Sequence, residues 1–131
     1  KINVHMNYIT EILILLFLAI TFLQSGYDKM ADWKGNVGWL KSHFANTFLG
    51  DKVPFSLGII LILEIIAGIL ALAGIWFLFN DCKEIALYSG IVSCVTLLFL
   101  LLGQRIAKDY DGARTIVIYF IPAIFLVFLL K

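Results

Sequence analysis

No Asp, Glu, Lys or Arg occurs in residues 12–27, 85–104 or 115–130, and over 53–80 the one formal charge is Glu64. An α-helix rises about 1.5 Å per residue and a lipid hydrocarbon core is about 30 Å thick, so roughly 20 residues cross it. The 53–80 and 85–104 runs are long enough outright. The other two need flanking residues, such as Tyr8, Ile9 and Thr10 for the first and Ala113 for the last. Strict polar–apolar alternation, which a closed membrane barrel requires, is missing from all four, so helices are the way left to satisfy the backbone in lipid. The pattern predicts an all-α integral membrane fold: a four-helix transmembrane bundle in one domain, residues 1–131. Its spans are expected at about 8–25, 54–79, 84–103 and 113–130.

The long connection between the first two spans has a different period. In "NVGWLKSHFANTFLG", Val37, Leu40, Phe44 and Phe48 recur at spacings of three and four, one apolar stripe of a helix. Trp39, His43 and Asn46 fall on the opposite side. Asn36 can cap the start and Gly50 can end it, so an amphipathic helix at about 36–49 is expected to lie in the headgroup layer, apolar side down. Pro54 suits the first turn of span two, where its missing N–H costs nothing. Asn80 and Asp81 make a tight turn, and "DCKE" is a variant of the capping box for span three. Asp111 is the expected cap of span four, and Pro122 is expected to kink that helix and free a carbonyl near Tyr119.

Composition agrees with lipid as the solvent: 62% of residues are apolar and 15% charged, against roughly 45–50% and about 25% in ordinary globular chains. So small a domain could not hide that much apolar surface from water. The net charge of +1 is too small to suggest nucleic acid. Lys29, Lys34, Lys41, Lys52, Arg105, Lys108 and Arg114 lie at one end of the bundle; Lys1, Lys83 and Lys131 lie at the other. The positive-inside bias therefore puts the long connection in the cytoplasm and both termini on the periplasmic side. Span one fits a cleaved signal poorly, with Glu11 at its edge and no Lys or Arg between Lys1 and Lys29; Met6 is a candidate native start.

Few residues could carry chemistry. Glu64 stands about ten residues beyond Pro54, so about 15 Å along its helix. A charge that deep costs at least about 2.5–3.5 kcal/mol and must find shelter. Gly68 and Ala71 share its stripe and let another helix approach. Tyr119 and Thr115 on span four, and Gln104, Ser93 and Arg105 on span three, are the candidate partners. Functional and purely structural roles for Glu64 are evenly balanced. Cys82 and Cys94 form no Cys-x-x-Cys, which argues against a zinc knuckle or a dithiol centre. His5 and His43 lie outside the spans without a second ligand at helical spacing, so a haem or metal role is not favoured. "KDYDG" at 108–112 lacks the other ligands of a calcium loop. Trp33, Trp39, Tyr27 and Tyr110 suit an interface belt.

Three stretches resemble the bacterial DoxX family: "FLQSGYDKMADW", "ILEIIAGILALAGI" with Glu64, Gly68 and Gly74, and "LFLLLGQRIAKDYDGARTIVIYF". The resemblance covers about Ile12 to Leu130. Many family members begin span one with an Arg, whereas Glu11 and Ile12 stand here, so any role of that Arg does not carry over. The resemblance implies a four-helix protein of the bacterial inner membrane, linked through its founding members to thiosulfate:quinone oxidoreduction. It directs attention to Lys29, Glu64, Gln104 and Arg105. Two functions follow as expectations. One is an accessory or anchoring subunit of a membrane oxidoreductase complex, with no redox cofactor of its own and other membrane subunits as partners. The other is a quinone-binding subunit, with Glu64, Tyr119 and Gln104 as polar contacts; a quinone or a lipid is the expected ligand. A transporter is weaker, because there is no internal repeat.

Overall fold

The computed structural model describes residues 7–131; Lys1, His5 and Met6 lie outside the described residues. The chain is all α. In order come α1 (Ile9–Ala31), α2 (Trp33–His43), a short 3-10 turn (Gly50–Lys52), α3 (Val53–Phe79), α4 (Glu84–Ile106) and α5 (Tyr110–Leu130). The four helices α1, α3, α4 and α5 are long and apolar enough to cross a membrane, and the chain is a multi-pass membrane protein. Large apolar side chains such as Leu13, Ile20, Ile62, Trp76 and Phe128 point outward. In water that arrangement would be untenable; in lipid it is the solvated surface.

Each long helix buries one narrow stripe. On α1 it runs through Ile12, Leu15, Leu18, Ala19, Phe22 and Gly26, the spacing of three and four that keeps one face inward. On α3 the stripe is made of small residues: Ala67, Gly68, Ala71 and Gly74 beside Glu64. On α4 it is Ala86, Ser89, Gly90, Ser93 and Cys94. A methyl at Gly74 would lie 2.8 Å from the Ala86 Cα, so α3 and α4 meet nearly backbone to backbone. Without a hydrophobic drive between helices in lipid, such close packing and interhelical hydrogen bonds must hold the pair. Ser89 Oγ supplies one, donating to the Ala67 carbonyl at 3.3 Å.

Neighbouring helices in the order α1–α3–α4–α5 pack closely, but α5 returns to α1 only lightly. Their ring contact is Phe17 with Tyr119, centroids 6.0 Å apart. The bundle is thus a curved row with a loose join. At one end Tyr8 Oη donates to Asp81 Oδ1 at 3.1 Å. The other end carries α2 and the α4–α5 turn.

Several boundaries differ from the sequence pattern. Helix α1 does not stop at Ser25 or Gly26 but runs to Ala31, because Asp28 and Lys29 occupy its last turns, where charge is tolerated. Helix α2 begins at Trp33 and ends at His43, so the expected 36–49 helix is shifted and shortened. Asp32 is its N-cap, accepting from Gly35 N at 3.2 Å. Asn36 instead reaches back, its Nδ2 donating to the Asp32 carbonyl at 2.7 Å. Beyond His43 the Thr47 hydroxyl donates to the Phe44 carbonyl and accepts from Leu49 N, a local turn that competes with helix. Val37, Leu40 and Phe44 are half-buried as the stripe requires, but Phe48 is exposed. Asp109, not Asp111, caps α5, accepting from Gly112 N at 3.0 Å. Asp81 does not cap α4; it sits at φ 59° in the turn. Helix α5 continues through Pro122.

Candidate functional site

Where α1 crosses α3, two glycines set the spacing. A methyl on Gly26 would meet Ile65 Cδ1 at 2.6 Å, and one on Gly68 would meet Leu23 at the same distance. The antiparallel register these contacts fix brings Ser25 level with Glu64. Ser25 and Lys29 are four residues apart, so both present to the same face. Ser25 Oγ donates to Glu64 Oε2 at 2.9 Å and accepts from Lys29 Nζ at 2.7 Å. Lys29 Nζ lies 3.0 Å from Glu64 Oε1. That approach is off the hydrogen-bonding direction, so charge rather than a directed bond holds Oε1.

Glu64 is 2% exposed, whereas the Lys29 side chain keeps 18% of its surface open. The pair is therefore asymmetric: the carboxylate is sealed, and the ammonium still reaches outward along its stem. Ser25 lies about six residues, or about 9 Å, before the end of α1, so Glu64 is nearer the charged end of the bundle than its distance from Pro54 implies. A long lysine side chain can bridge that depth by snorkelling.

The loose join of α1 and α5 opens directly above this cluster. A cleft of about 420 Å³ holds Ser25, Lys29 and Glu64 on one side. Its other walls are Ile20, Thr21, Phe22, Gln24 and Asp28 from α1, Leu97 and Leu100 from α4, and Ile116 and Tyr119 from α5. A volume of about 300–1,000 Å³ is usual for small-molecule sites; in size this cleft is one of them, and its α1 side is more polar than most. Lysine has three donor protons; one bonds Ser25 Oγ, and since Glu64 Oε1 is held by charge donor capacity is left for a guest. The Thr21, Gln24 and Tyr119 side chains add further polar groups.

Of the residues singled out from sequence, Lys29, Glu64 and Tyr119 come together here. Gln104 and Arg105 do not. Gln104 Oε1 faces His43 Nε2 at 3.4 Å, and the Arg105 guanidinium lies 5.2 Å over the Tyr110 ring. Thr115 Oγ1 donates to the Asp111 carbonyl at 3.2 Å, and Ser93 Oγ is buried with no partner among the described residues. The partners expected for Glu64 on the third and fourth spans are thus replaced by Ser25 and Lys29 on the first. A buried carboxylate is sheltered best by an opposite charge plus a hydroxyl donor, and a span ending at Gly26 would place Lys29 in a loop. Ser25 is a site residue absent from the sequence-based candidates; its place four residues before Lys29 is the signal that marks it.

His43 faces inward rather than away from the bilayer. Its Nε2 is 3.5 Å from Asp109 Oδ2, and its ring stacks on Trp39 at 4.6 Å, so it pins α2 to the α4–α5 turn. Among the described residues no group of His, Cys, Asp and Glu could hold a metal ion. No family model, no curated protein and no solved structure matches this chain, so its own geometry carries the functional argument.

Proposed function

We propose that this chain is a DoxX-like subunit of a quinone-linked membrane oxidoreductase complex, holding a quinone head in the α1–α5 cleft and leaving electron transfer to partner subunits. The observation that carries this reading is the cleft itself: a chamber of about 420 Å³ with Leu97, Leu100 and Ile116 on its apolar side and the Ser25–Lys29–Glu64 cluster, with Thr21, Gln24 and Asp28, on its polar side. A quinone ring is flat and apolar with carbonyl acceptors at its two ends. The remaining Lys29 donor and the Tyr119 hydroxyl are suited to those acceptors, and the neighbouring bilayer gives a prenyl tail an apolar path. Gln104 and Arg105 have no part in this version, because neither lines the cleft.

The test is quinone content after purification in mild detergent. Extracted lipid from the wild type should contain quinone near one per chain, and Tyr119→Leu with Lys29→Met should reduce it about tenfold. Unchanged content in that variant would overturn the reading.

A second reading, an anchor whose role is docking alone, is favoured by α2. That helix has no buried residue, and Trp39 is 62% exposed, so its outer face suits a partner subunit. Deleting the Trp39 side chain should release a co-purifying partner without changing quinone content.

The proposed setting is a bacterial inner membrane with periplasmic termini. Cys82 lies in the α3–α4 turn and reports on this. Its Sγ donates to Glu84 Oε1 at 3.1 Å, and that bond to a carboxylate holds the thiol above its ordinary pKa. An impermeant maleimide at mildly alkaline pH should label it on intact cells. Labelling that needs lysis would reverse the orientation.

A further inference from the structure

A second groove lies between the end of α4 and the start of α5, away from the Glu64 cleft. It has a volume of about 430 Å³ and is lined by Leu101, Arg105, Tyr110, Ala113, Arg114 and Val117. Its residues are graded in a simple way. Leu101 precedes Arg105 by one helical turn, and Val117 follows Arg114 by nearly one. Both arginines therefore stand at the charged end, and both apolar residues lie about 5 Å further into the bundle's apolar length. We propose that this groove is a binding site for an anionic phospholipid, with the phosphodiester on Arg105 and Arg114 and an acyl chain along Leu101 and Val117.

Arg105 is positioned by its stacking on Tyr110, 5.2 Å from the ring centroid. That contact uses the guanidinium face and leaves its edge donors free. Arg114 Nη2 is paired with Asp111 Oδ1 at 3.2 Å, but the two side chains are 72% and 87% exposed. Such an exposed pair is worth little, and a guanidinium has five donors, so Asp111 takes only part of Arg114's capacity. Planar guanidinium groups match phosphate oxygens in a bidentate fashion. Basic pockets between transmembrane helices at a membrane surface are suited to anionic headgroups. A free phosphate would satisfy the arginines but leave the apolar half of the groove unused; a lipid satisfies both.

The test compares the purified chain in vesicles of phosphatidylcholine containing a minority of spin-labelled phosphatidylglycerol or spin-labelled phosphatidylcholine. The preference for the anionic lipid among motionally restricted lipids is the readout. A basic residue in contact with the headgroup is worth roughly fivefold in anionic-lipid preference. R105Q/R114Q should therefore lose most of the preference, while K34Q/K41Q, which removes equal charge from α2 at the same end, should keep it. R105K/R114K preserves charge and should retain only a part. An equal loss in the α2 variant would reveal diffuse charge attraction and overturn the proposal, as would full retention in R105Q/R114Q. Displacement of the lipid by millimolar inorganic phosphate would make a free anion the ligand and overturn it too. If R105Q/R114Q fails to fold by circular dichroism, the lysine pair decides: preference equal to wild type refutes the site.

Discussion

The join of α3 with α4 and the join of α1 with α5 solve opposite problems with the same helical geometry. Along α3–α4 the facing residues are Gly, Ala and Ser, the backbones nearly touch at Gly74 and Ala86, and Ser89 bonds across to a main-chain carbonyl. No room is left for a guest. Along α1–α5 the helices meet lightly through Phe17 and Tyr119, and the space between them opens on a buried ion pair. Close packing supplies the framework, and the loose join supplies the chamber. A bundle tight on every side could not hold a ligand, and one loose on every side could not hold the carboxylate in place.

Substitutions separate these two kinds of join. The largest losses should come from breaking the ion pair, and Glu64→Leu, second only to Lys29→Met, leaves Lys29 without its partner. Breaking a buried pair typically costs about 3–5 kcal/mol, and the partly open Lys29 can turn toward the headgroups, so a loss near the low end is expected in detergent unfolding. Gly74→Ala comes next. Its methyl would press on backbone that cannot turn aside, and overpacking costs about 1–3 kcal/mol, more than the gain of about 1 kcal/mol in helix propensity. Gly68→Ala presses instead on the flexible Leu23 side chain, and the same propensity gain should bring its net change close to zero. Equal losses at the two glycines would break the contrast between a backbone contact and a side-chain contact. Ser93→Ala is also small, and opposite in sign to the losses above. Removing a buried hydroxyl without a partner should be neutral or stabilising by up to about 1 kcal/mol, read as a raised midpoint in the same unfolding experiment.

The four spans were legible because lipid imposes one demand, a long charge-free stretch, that sequence states openly. The small-residue stripe around Glu64 was legible for a similar reason: Gly68 and Ala71 recur at helical spacing, and close approach needs small side chains. What escaped was the polar margin. A charge-free window ends where the first charge appears, but a helix ends where its backbone bonds end, and α1 continues through Asp28 and Lys29 to Ala31. Those few residues decide the site, since they bring Lys29 back onto the helix and over Glu64. The α2 boundaries escaped because Asp32 and Asn36 are both good cap residues, and only the three-dimensional arrangement shows that Asn36 donates backward to close α1 onto α2. The cleft itself has no sequence signal. It results from how lightly α5 returns to α1, which depends on all three intervening packings.

A double-mutant cycle on Lys29 and Glu64, measured by reversible unfolding in detergent, tests this arrangement most directly. Lys29→Met should be costly because it leaves a sealed carboxylate unpaired, Glu64→Leu should cost somewhat less, and the double variant should recover much of the loss. A coupling of about 2 kcal/mol or more is predicted, well outside the roughly 0.3–0.5 kcal/mol within which independent sites add. Additive losses would mean that the lysine and the glutamate do not shelter one another, and the charged end of the cleft would have to be placed elsewhere.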